Sequence, residues 1–229
     1  MNHKGIDYFS RKHPLRSLAS MVSLDVRGKI FQFFMYAMRP NENTFVLDLG
    51  ATPDRSLPES NFFEQWYPYP QNIIASSFED ASFLVYQYPG VSFVRTEKME
   101  LPFADKSFDL VFCSAVLEHA GPGEKQQKLI DEILRVGRSF FITTPNRWFP
   151  IEFHTILPII HWLPKPVHRS VLKRMNLLFW ADVENLNLLS LHSIRQMFSQ
   201  SCTVHLKKQR LIGMTSNVIV YGTSQHEKK

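Results

Sequence analysis

The sequence predicts one α/β domain with a doubly wound, mostly parallel sheet of seven strands and an antiparallel strand at its edge. The chain has 229 residues, of which 44% are hydrophobic, and this length suits one domain with a full core better than two. Short apolar runs alternate with helical patterns, which is typical of parallel strands joined by helices. Most of these runs are almost continuously apolar, as expected for strands that are covered on both faces.

Residues 1–43 are predicted to form an N-terminal arm and a helix. Residues 1–17 are polar and basic, and apolar residues then recur at helical spacing over residues 18–38. We expect Gly28 to interrupt this helix and Pro40 to end it.

Residues 44–146 are predicted to form the centre of the sheet. Strands are assigned to the apolar runs at residues 44–49, 72–76, 92–95, 108–114 and 139–143. Helices are expected over residues 78–88 and 123–136, and Gly137 is expected to end the second of them in a left-handed cap.

Residues 190–225 are predicted to form a helix and two strands at the sheet edge. Ser190 is a favourable N-cap for a helix that reaches Phe198. The two strands, residues 203–208 and 216–221, are joined through Gly213 and should pair in antiparallel fashion.

Ligands of doubly wound sheets bind beyond the carboxyl ends of the strands, near the point where the strand order reverses. Three strand ends carry motifs at such places: Asp48-Leu49-Gly50, 101-LPFADKSFDLVFCSAVLEHAG-121 and 143-TTPN-146. In order and spacing, these segments resemble the class I S-adenosylmethionine-dependent methyltransferases of the branch labelled type 11, over about residues 44–146.

The resemblance implies a Rossmann-like fold, S-adenosyl-L-methionine as the cofactor and methyl transfer as the activity. It assigns residues 44–146 to the cofactor-binding core. The stretch 145-PNRWFPIEFHTILPIIHWLP-164 is also similar to a subgroup of these enzymes with an aromatic, proline-rich insertion. We therefore assign residues 147–189 to a substrate-side insertion.

The first loop departs from the family pattern Asp-x-Gly-x-Gly-x-Gly, because Thr52 and Asp54 replace its second and third glycines. Glycine permits a positive φ and a close approach of a ligand to the backbone, and Thr52 tolerates neither easily. Two interpretations stay open: a cofactor loop in altered form, or a strand end without a ligand. The first predicts cofactor contacts at Asp48, Gly50, Ala51 and Thr52. It also predicts that Gly50→Val blocks cofactor binding and leaves the fold largely intact.

The resemblance further implies an acidic residue at the end of the second strand, where a carboxylate can accept hydrogen bonds from both ribose hydroxyls. Ser77 stands at that position. Glu79 and Asp80 follow at a predicted helix start, where they either replace the missing acid or complement the helix dipole.

The third and fourth strand ends supply the remaining predicted cofactor contacts. By resemblance, Glu97 and Lys98 lie near the adenine amino group, although a solvated charge pair would look the same in sequence. Ser114 and Ala115 are predicted to form part of the wall for the methionine part of the cofactor.

Methyl transfer needs a protein base only if the acceptor loses a proton, and His119 and His154 are the candidates for that role. Both follow strand ends of the predicted sheet, and the alternative is that they only cap or pack. No metal is expected, because His154 and His161 are seven residues apart and no carboxylate cluster completes a ligand set.

The substrate side is predicted to include Asn146, Arg147, Trp148, Glu152 and His154. The aromatic residues of the insertion either line an apolar cavity or form a small core; they are Trp148, Phe149, Phe153, Trp162 and Phe179. Because basic residues flank this aromatic run, residues 147–174 could lie on an anionic membrane. The expected acceptor is therefore a small or lipid-linked molecule.

Other functions are less well supported by the sequence. The net charge of +5 could suit RNA, but no RNA-binding module is recognisable, so an RNA or protein acceptor ranks second. A non-catalytic binding protein is favoured by the altered loop and by the missing ribose acid, but the intact later motifs oppose it. The Gly-x-Gly-x-x-Gly fingerprint of nicotinamide enzymes is absent. Two distant cysteines, Cys113 and Cys202, and the lack of a signal-peptide pattern fit a cytoplasmic protein.

Overall fold

The structure is a computed structural model that describes residues 16–55, 57–96, 100–198 and 202–224. The first part of the chain contains α1 (Arg16–Met38), β1 (Val46–Leu49), α2 (Phe62–Trp66), β2 (Ile73–Ser77), α3 (Leu84–Gln87), β3 (Ser92–Arg95), β4 (Phe108–Ser114), α4 (Gly123–Val136) and β5 (Gly137–Pro145). The second part contains β6 (Ile151–Glu152), β7 (Leu157–Pro158), α5 (Lys165–Arg174), α6 (Leu178–Ala181), α7 (Leu191–Gln196), β8 (Cys202–Leu211) and β9 (Met214–Ser224).

Seven strands form the main sheet in the order β3-β2-β1-β4-β5-β9-β8. Strands β1 to β5 are parallel, and β9 pairs with β5 in antiparallel fashion. The last two strands form the predicted hairpin at the sheet edge, so the predicted fold class is confirmed. The chain reverses its direction across the sheet between β1 and β4, which places a crevice above the carboxyl ends of these two strands.

Apolar side chains cover both faces of the sheet, which explains the continuous apolar runs in the sequence. The neighbouring residues Val46 and Leu47 of β1 point to opposite faces. Val46 packs in a cluster with Phe34 of α1, and Leu47 packs in a second cluster with Leu129 and Ile133 of α4.

Three local predictions between residues 28 and 137 were wrong. Helix α1 runs through Gly28 without a break, since buried Val26 and Ile30 anchor it on both sides of the glycine. Gly137 adopts an extended φ of −100° and begins β5 directly, instead of forming a left-handed cap. A Cβ at Gly137 would come within 2.7 Å of Val111 Cγ2, so the glycine is needed for close packing on β4.

The third wrong prediction concerns the helix over residues 78–88, of which only Leu84–Gln87 is helical. Two side chains bind the backbone before that point: Ser77 Oγ accepts the N–H of Glu79, and Asp80 Oδ1 accepts the N–H of Ser82. Such local bonds compete with the start of a helix.

The C-terminal predictions hold, with shifted boundaries. Ser190 caps α7 in a reciprocal capping box with Ser193, and the helix ends at Gln196 instead of Phe198. Ile212 and Gly213 both have positive φ, 50° and 76°, as in a type I′ hairpin turn. The two strands extend beyond their predicted bounds on both sides.

The insertion, residues 147–189, contains the β6–β7 hairpin and helices α5 and α6. It has a small core of its own, made of Leu172, Trp180, Ala181, Leu186 and Leu188. Within the described part of the chain, no helix has the length and apolar character that crossing a membrane would require.

Candidate cofactor cleft and acceptor end

A cleft with a cavity volume of about 200 Å³ opens above the carboxyl ends of β1, β2 and β4. Its wall includes ten of the residues that the sequence predicts for the site: Asp48, Gly50, Ala51, Thr52, Ser77, Glu79, Ser114, Ala115, His119 and His154. The topology therefore brings these separate segments to one place, as the strand-end argument requires.

Gly50 connects β1 to the cleft loop and has a φ of +111°. The N–H groups of Gly50 and Ala51 both donate to the carbonyl oxygen of Ser76, at 2.8 and 3.1 Å, which ties the loop to β2. A Cβ at Gly50 would overlap Val116 Cγ2. The expectation that Gly50→Val leaves the fold intact is therefore wrong, because both the backbone conformation and the space require glycine.

The loop after Gly50 does not need the two missing glycines, because residues 51–54 all have negative φ. Instead, the side-chain amide of Asn61 holds Thr52 on both sides: it donates to Thr52 O at 2.9 Å and accepts the Thr52 N–H at 2.8 Å. The N–H of Asp54 donates to Thr52 Oγ1 at 3.2 Å. Side-chain bonds thus replace glycine in shaping the loop.

Asp48 and Glu64 bring two buried carboxyl groups into the wall of the cleft. Burial raises the pKa of both groups, and the nearby charge of Glu64 raises the pKa of Asp48 further. A hydrogen bond between the two carboxyl groups also raises the pKa of Asp48 and lowers that of Glu64. The pair is therefore ready to lose a proton when a cationic group enters the cleft.

At the end of β2, Glu79 lines the cleft, whereas Asp80 is exposed and lies outside it. Helix α3 begins only at Leu84, so the helix-dipole interpretation of these two acids is not supported. Ser77 Oγ accepts the N–H of Glu79 at 3.2 Å and holds the start of this turn. Glu79 is thus the carboxylate placed for a hydroxyl-bearing ligand at this strand end.

The predicted contacts Glu97 and Lys98 lie outside the described residues. Thr96, directly before them, is buried in the cleft wall, and so is Ser76 at the end of β2. Within the described ranges, the hydroxyl oxygens of both residues have no hydrogen-bond partner. Buried hydroxyls without partners are uncommon, and a polar ligand in the cleft would satisfy them.

Ala115 follows β4 in a left-handed conformation, with a φ of 56°, and its N–H donates to Thr143 O at 2.9 Å. This conformation costs a non-glycine residue about 1–2 kcal/mol. The neighbouring Leu117 is fully buried in the core, and Val116 packs against the same cluster and also lines the cleft.

His119 lies at the acceptor end of the cleft, where its Nδ1 donates to the carbonyl oxygen of Asn185 at 2.7 Å. Burial and the neighbouring His154 lower the pKa of His119 to about 3. His119 is therefore a neutral imidazole with its proton on Nδ1.

His154 reaches the same end of the cleft from the insertion, and its Nδ1 lies 2.5 Å from Glu152 Oε1. Burial lowers the pKa of His154, but the charge and hydrogen bond of Glu152 outweigh burial and raise it overall. Burial likewise would raise the pKa of Glu152, yet His154 and bonds from Thr155 lower it to about 2. Glu152 thus fixes the orientation of the His154 ring from behind.

The two histidine rings meet edge to face, with centroids 4.7 Å apart, and Glu118 lies buried beside them. One possible ligand atom each from Glu118, His119 and His154 falls within 4.8 Å of the others. The expectation that no carboxylate completes a ligand set is therefore wrong. That expectation was based on the spacing of His154 and His161. In the structure, His154 instead lies next to Glu118 and His119.

Only His154 of the five predicted substrate-side residues lines the cleft. Asn146 donates to Thr215 O, Arg147 donates to the carbonyls of His161 and Leu163, and Glu152 lies behind His154. None of the five predicted aromatic residues borders this cleft. Phe149 and Phe153 stack at 5.6 Å, whereas Trp148, Trp162 and Phe179 are exposed, so the cavity-lining alternative is not supported.

Sequence reasoning missed several cleft residues, notably Arg27, Asn61 and Glu64. Arg27 Nη1 donates to Glu59 O at 2.7 Å, and its guanidinium lies 5.2 Å from the Phe62 ring centre. A lone arginine between the apolar Val26 and Ile30 of α1 was a signal that could have been noticed. For Asn61 the signal was the residue type, since asparagine tolerates its positive φ of 53° better than most residues.

The cleft suits S-adenosylmethionine on the chemistry of its wall. The buried carboxyl groups of Asp48 and Glu64 fit a ligand with cationic groups, and Glu79 fits ribose hydroxyls. Gly50 keeps the backbone open at the end of β1, and the unpartnered hydroxyls of Ser76 and Thr96 can bind polar ligand atoms.

Comparisons with known proteins agree with this assignment. Residues 70–139 match the family described as "Methyltransferase domain". No curated protein sequence matches the chain.

Solved structures show the same fold at low sequence identity. A chain from the complex of the Trm112 methyltransferase activator with a putative methyltransferase of Haloferax volcanii is 13% identical, with a TM-score of 0.60, and the match covers 96% of this chain and 100% of that one. The magnesium protoporphyrin IX methyltransferase of Synechocystis, solved with S-adenosylhomocysteine, is 14% identical with a TM-score of 0.57, covering 95% and 91%. A SAM-dependent methyltransferase of Methanosarcina mazei is 12% identical with a TM-score of 0.54, covering 84% and 98%.

The matched segment contains strands β2 to β4 and helix α4, which form one half of the cleft and the helix beneath it. The strand order around that cleft is that of the class I methyltransferase fold, and the wall of the cleft suits the cofactor of the matched domain family.

Proposed function

We propose that this methyltransferase acts on a hydrophobic or lipid-linked small molecule, which it meets at the surface of an anionic membrane. The observation that carries the proposal is the distribution of exposed apolar side chains. Among the residues that the structure describes, nine of the sixteen large exposed hydrophobic side chains belong to the insertion: Trp148, Ile151, Ile159, Trp162, Leu163, Val167, Met175, Leu178 and Phe179. Exposed apolar surface of this density is typical of interaction sites.

Basic residues are also exposed on the insertion. Lys173 and Arg174 are exposed at the C-terminal end of α5, and no ion pair within the described ranges includes either of them. Tryptophan and leucine side chains beside unpaired cations suit the boundary of an anionic lipid layer. Such contact would place the enzyme at the periphery of a membrane, on its cytoplasmic side.

His154 connects the insertion with the cofactor cleft, because it belongs to the insertion and lines the cleft. An acceptor held by the insertion would therefore meet the cofactor at the end where His119 and His154 lie. We propose these two histidines as the catalytic candidates, with Glu152 as the residue that positions His154.

When bound, S-adenosylmethionine supplies an electrophilic methyl group on a sulfonium sulfur. The acceptor atom forms a bond to the methyl carbon, the carbon–sulfur bond breaks, and its electron pair remains on sulfur. The residues of the chain hold the two partners in line and exclude water. An oxygen acceptor also has to lose a proton, and the acceptor end of the cleft is where that proton would leave.

Vesicle co-sedimentation tests the membrane part of the proposal. The protein should sediment with vesicles that contain phosphatidylglycerol, and should remain in the supernatant with pure phosphatidylcholine. The double variant Trp148→Ser/Leu178→Ser should weaken sedimentation at least about fivefold, because it removes two exposed apolar contacts. Ile212→Ser is the matched control, since Ile212 is 93% exposed in the β8–β9 turn, outside the insertion.

Radiolabelled cofactor tests the acceptor class. Incubation with a total lipid extract should transfer label to an organic-soluble product. If label is transferred only to RNA or protein, the acceptor is RNA or protein and the lipid-linked acceptor is contradicted. Failure to bind S-adenosylmethionine or S-adenosylhomocysteine in calorimetry would instead support the non-catalytic alternative.

A further inference from the structure

We propose that Glu118, His119 and His154 form a binding site for a divalent first-row metal ion at the acceptor end of the cleft. The three residues come from two segments, the turn after β4 and the insertion. Two imidazoles and one carboxylate are a donor set that binds Zn²⁺, Mn²⁺ and Fe²⁺ in proteins.

The separation of the three side chains is close to that of a ligand set. One possible ligand atom from each lies within 4.8 Å of the others. Ligand atoms at 2.0–2.2 Å from a common tetrahedral metal are about 3.4 Å apart. The ligand atoms therefore have to approach one another by up to about 1.4 Å, which small side-chain rotations can supply.

Both histidines have a hydrogen-bond partner at Nδ1. His119 Nδ1 donates to the Asn185 carbonyl, and His154 Nδ1 donates to Glu152. Metal-binding histidines show this arrangement, because a carbonyl or carboxylate on one ring nitrogen fixes the tautomer and the ring orientation. The proposal assigns the two Nε2 atoms as the ligand atoms.

Glu118 provides an independent indication of a cation. Its side chain is fully buried, and Oε2 accepts the hydroxyl of Thr144 at 2.9 Å. Oε1 is also buried and has no hydrogen-bond partner among the described residues. A buried carboxylate oxygen without a partner carries a large desolvation cost, and a metal ion would remove it.

The position of the site gives the metal a role. His119 and His154 line the cleft, so open coordination positions would face the acceptor. A bound metal orients an oxygen ligand and lowers its pKa, which favours loss of the proton during methyl transfer. This last step rests on the proposed function, whereas metal binding itself does not.

The test is metal binding to the chelator-treated full chain, without acceptor. Free Mn²⁺ is followed by electron paramagnetic resonance, and Zn²⁺ binding by calorimetry. We expect one ion per chain. His154→Ala and Glu118→Gln should each weaken binding about 100-fold or more. Glu152→Gln should weaken binding about 10–100-fold, since it removes the carboxylate that positions the His154 ring. His192→Ala, at an exposed histidine of α7, should bind as the native protein does.

Two results would overturn the site: no binding of either metal at millimolar concentration, or equal binding by the native protein, His154→Ala and Glu118→Gln. If His154→Ala does not fold by circular dichroism, Glu118→Gln decides, because glutamine keeps the shape of the side chain and can still accept the Thr144 bond. Titration of the same samples with S-adenosylhomocysteine reports on the cofactor cleft separately. If the protein binds S-adenosylhomocysteine but no metal, the proposed function stands and the metal site is overturned.

Discussion

Asn61 and Thr52 are joined by two hydrogen bonds, of 2.8 and 2.9 Å, between the asparagine amide and the threonine backbone. This pair holds the loop after Gly50 in shape without a glycine at position 52 or 54. Asn61 stands at the start of α2, so it also links the loop to the helix that carries Glu64.

Removing the Asn61 amide should loosen the loop. Asn61→Ala is expected to lower the free energy of unfolding by about 1–3 kcal/mol, since it leaves partly buried backbone groups of Thr52 without partners. It should also weaken S-adenosylhomocysteine binding about tenfold. Asn61→Asp retains the acceptor oxygen and should lie between the native protein and the alanine variant in both measurements. Unchanged cofactor affinity in Asn61→Ala would show that the loop does not contact the cofactor.

Gly50 should be intolerant of even one methyl group. Gly50→Ala is expected to destabilise the protein by about 1–3 kcal/mol, because of its positive φ and the overlap with Val116. The double variant Gly50→Ala/Val116→Ala should recover part of the loss, measured by urea unfolding against Val116→Ala alone. If the double variant recovers no stability, the whole destabilisation by Gly50→Ala comes from the positive φ of this residue.

Glu79 and Asp80 offer a matched pair for the ribose carboxylate. Glu79→Gln should weaken S-adenosylhomocysteine binding about tenfold, because a glutamine cannot accept hydrogen bonds through both terminal atoms. Asp80→Asn should leave the affinity unchanged, since Asp80 is exposed and lies outside the cleft. Calorimetry measures the S-adenosylhomocysteine affinity of both variants. If Asp80→Asn weakens binding and Glu79→Gln does not, the ribose is bound by Asp80 instead.

Cofactor binding should depend on pH through Asp48 and Glu64. Burial raises the pKa of both carboxyl groups, so the cofactor-free protein favours their protonated forms and loses this stability as pH rises through the raised pKa values. A cationic cofactor favours the ionised forms. Its affinity should therefore increase with pH across the same range.

The measurement is S-adenosylmethionine affinity at pH 5, 6, 7 and 8. Asp48→Asn should weaken binding several-fold and flatten the pH dependence, because it removes one of the two coupled groups. Asp131→Asn, at an exposed position on α4, serves as the control. An affinity that does not vary with pH in the native protein would contradict a shared proton at this pair.

Much of the fold was predictable, because it depends on patterns that are local in sequence. The apolar runs at β1 and β4 and the Ser190 cap each specify their own conformation. The helix expected over residues 78–88 failed because Ser77 and Asp80 bind the backbone, an outcome that apolar periodicity does not reveal.

The predicted cofactor residues that are described all reached the cleft, since the carboxyl ends of parallel strands meet at one edge of a sheet. The predicted substrate-side residues did not, apart from His154. Arg147 and Trp148 lie in an insertion with its own core, and its packing directs their side chains away from the cleft.

The sequence by itself determined the fold class, the cofactor class and the strand ends that surround the cleft, because adjacent residues and fixed spacings carry that information. Only the tertiary structure decided that Asn61 supports Thr52, that Glu64 faces Asp48, and that Glu118 and His119 meet His154. Those contacts join segments far apart in the chain, and they depend on how helices and the insertion pack against the sheet. A side chain's partner across such a distance is set by packing, for which a single sequence carries no local signal.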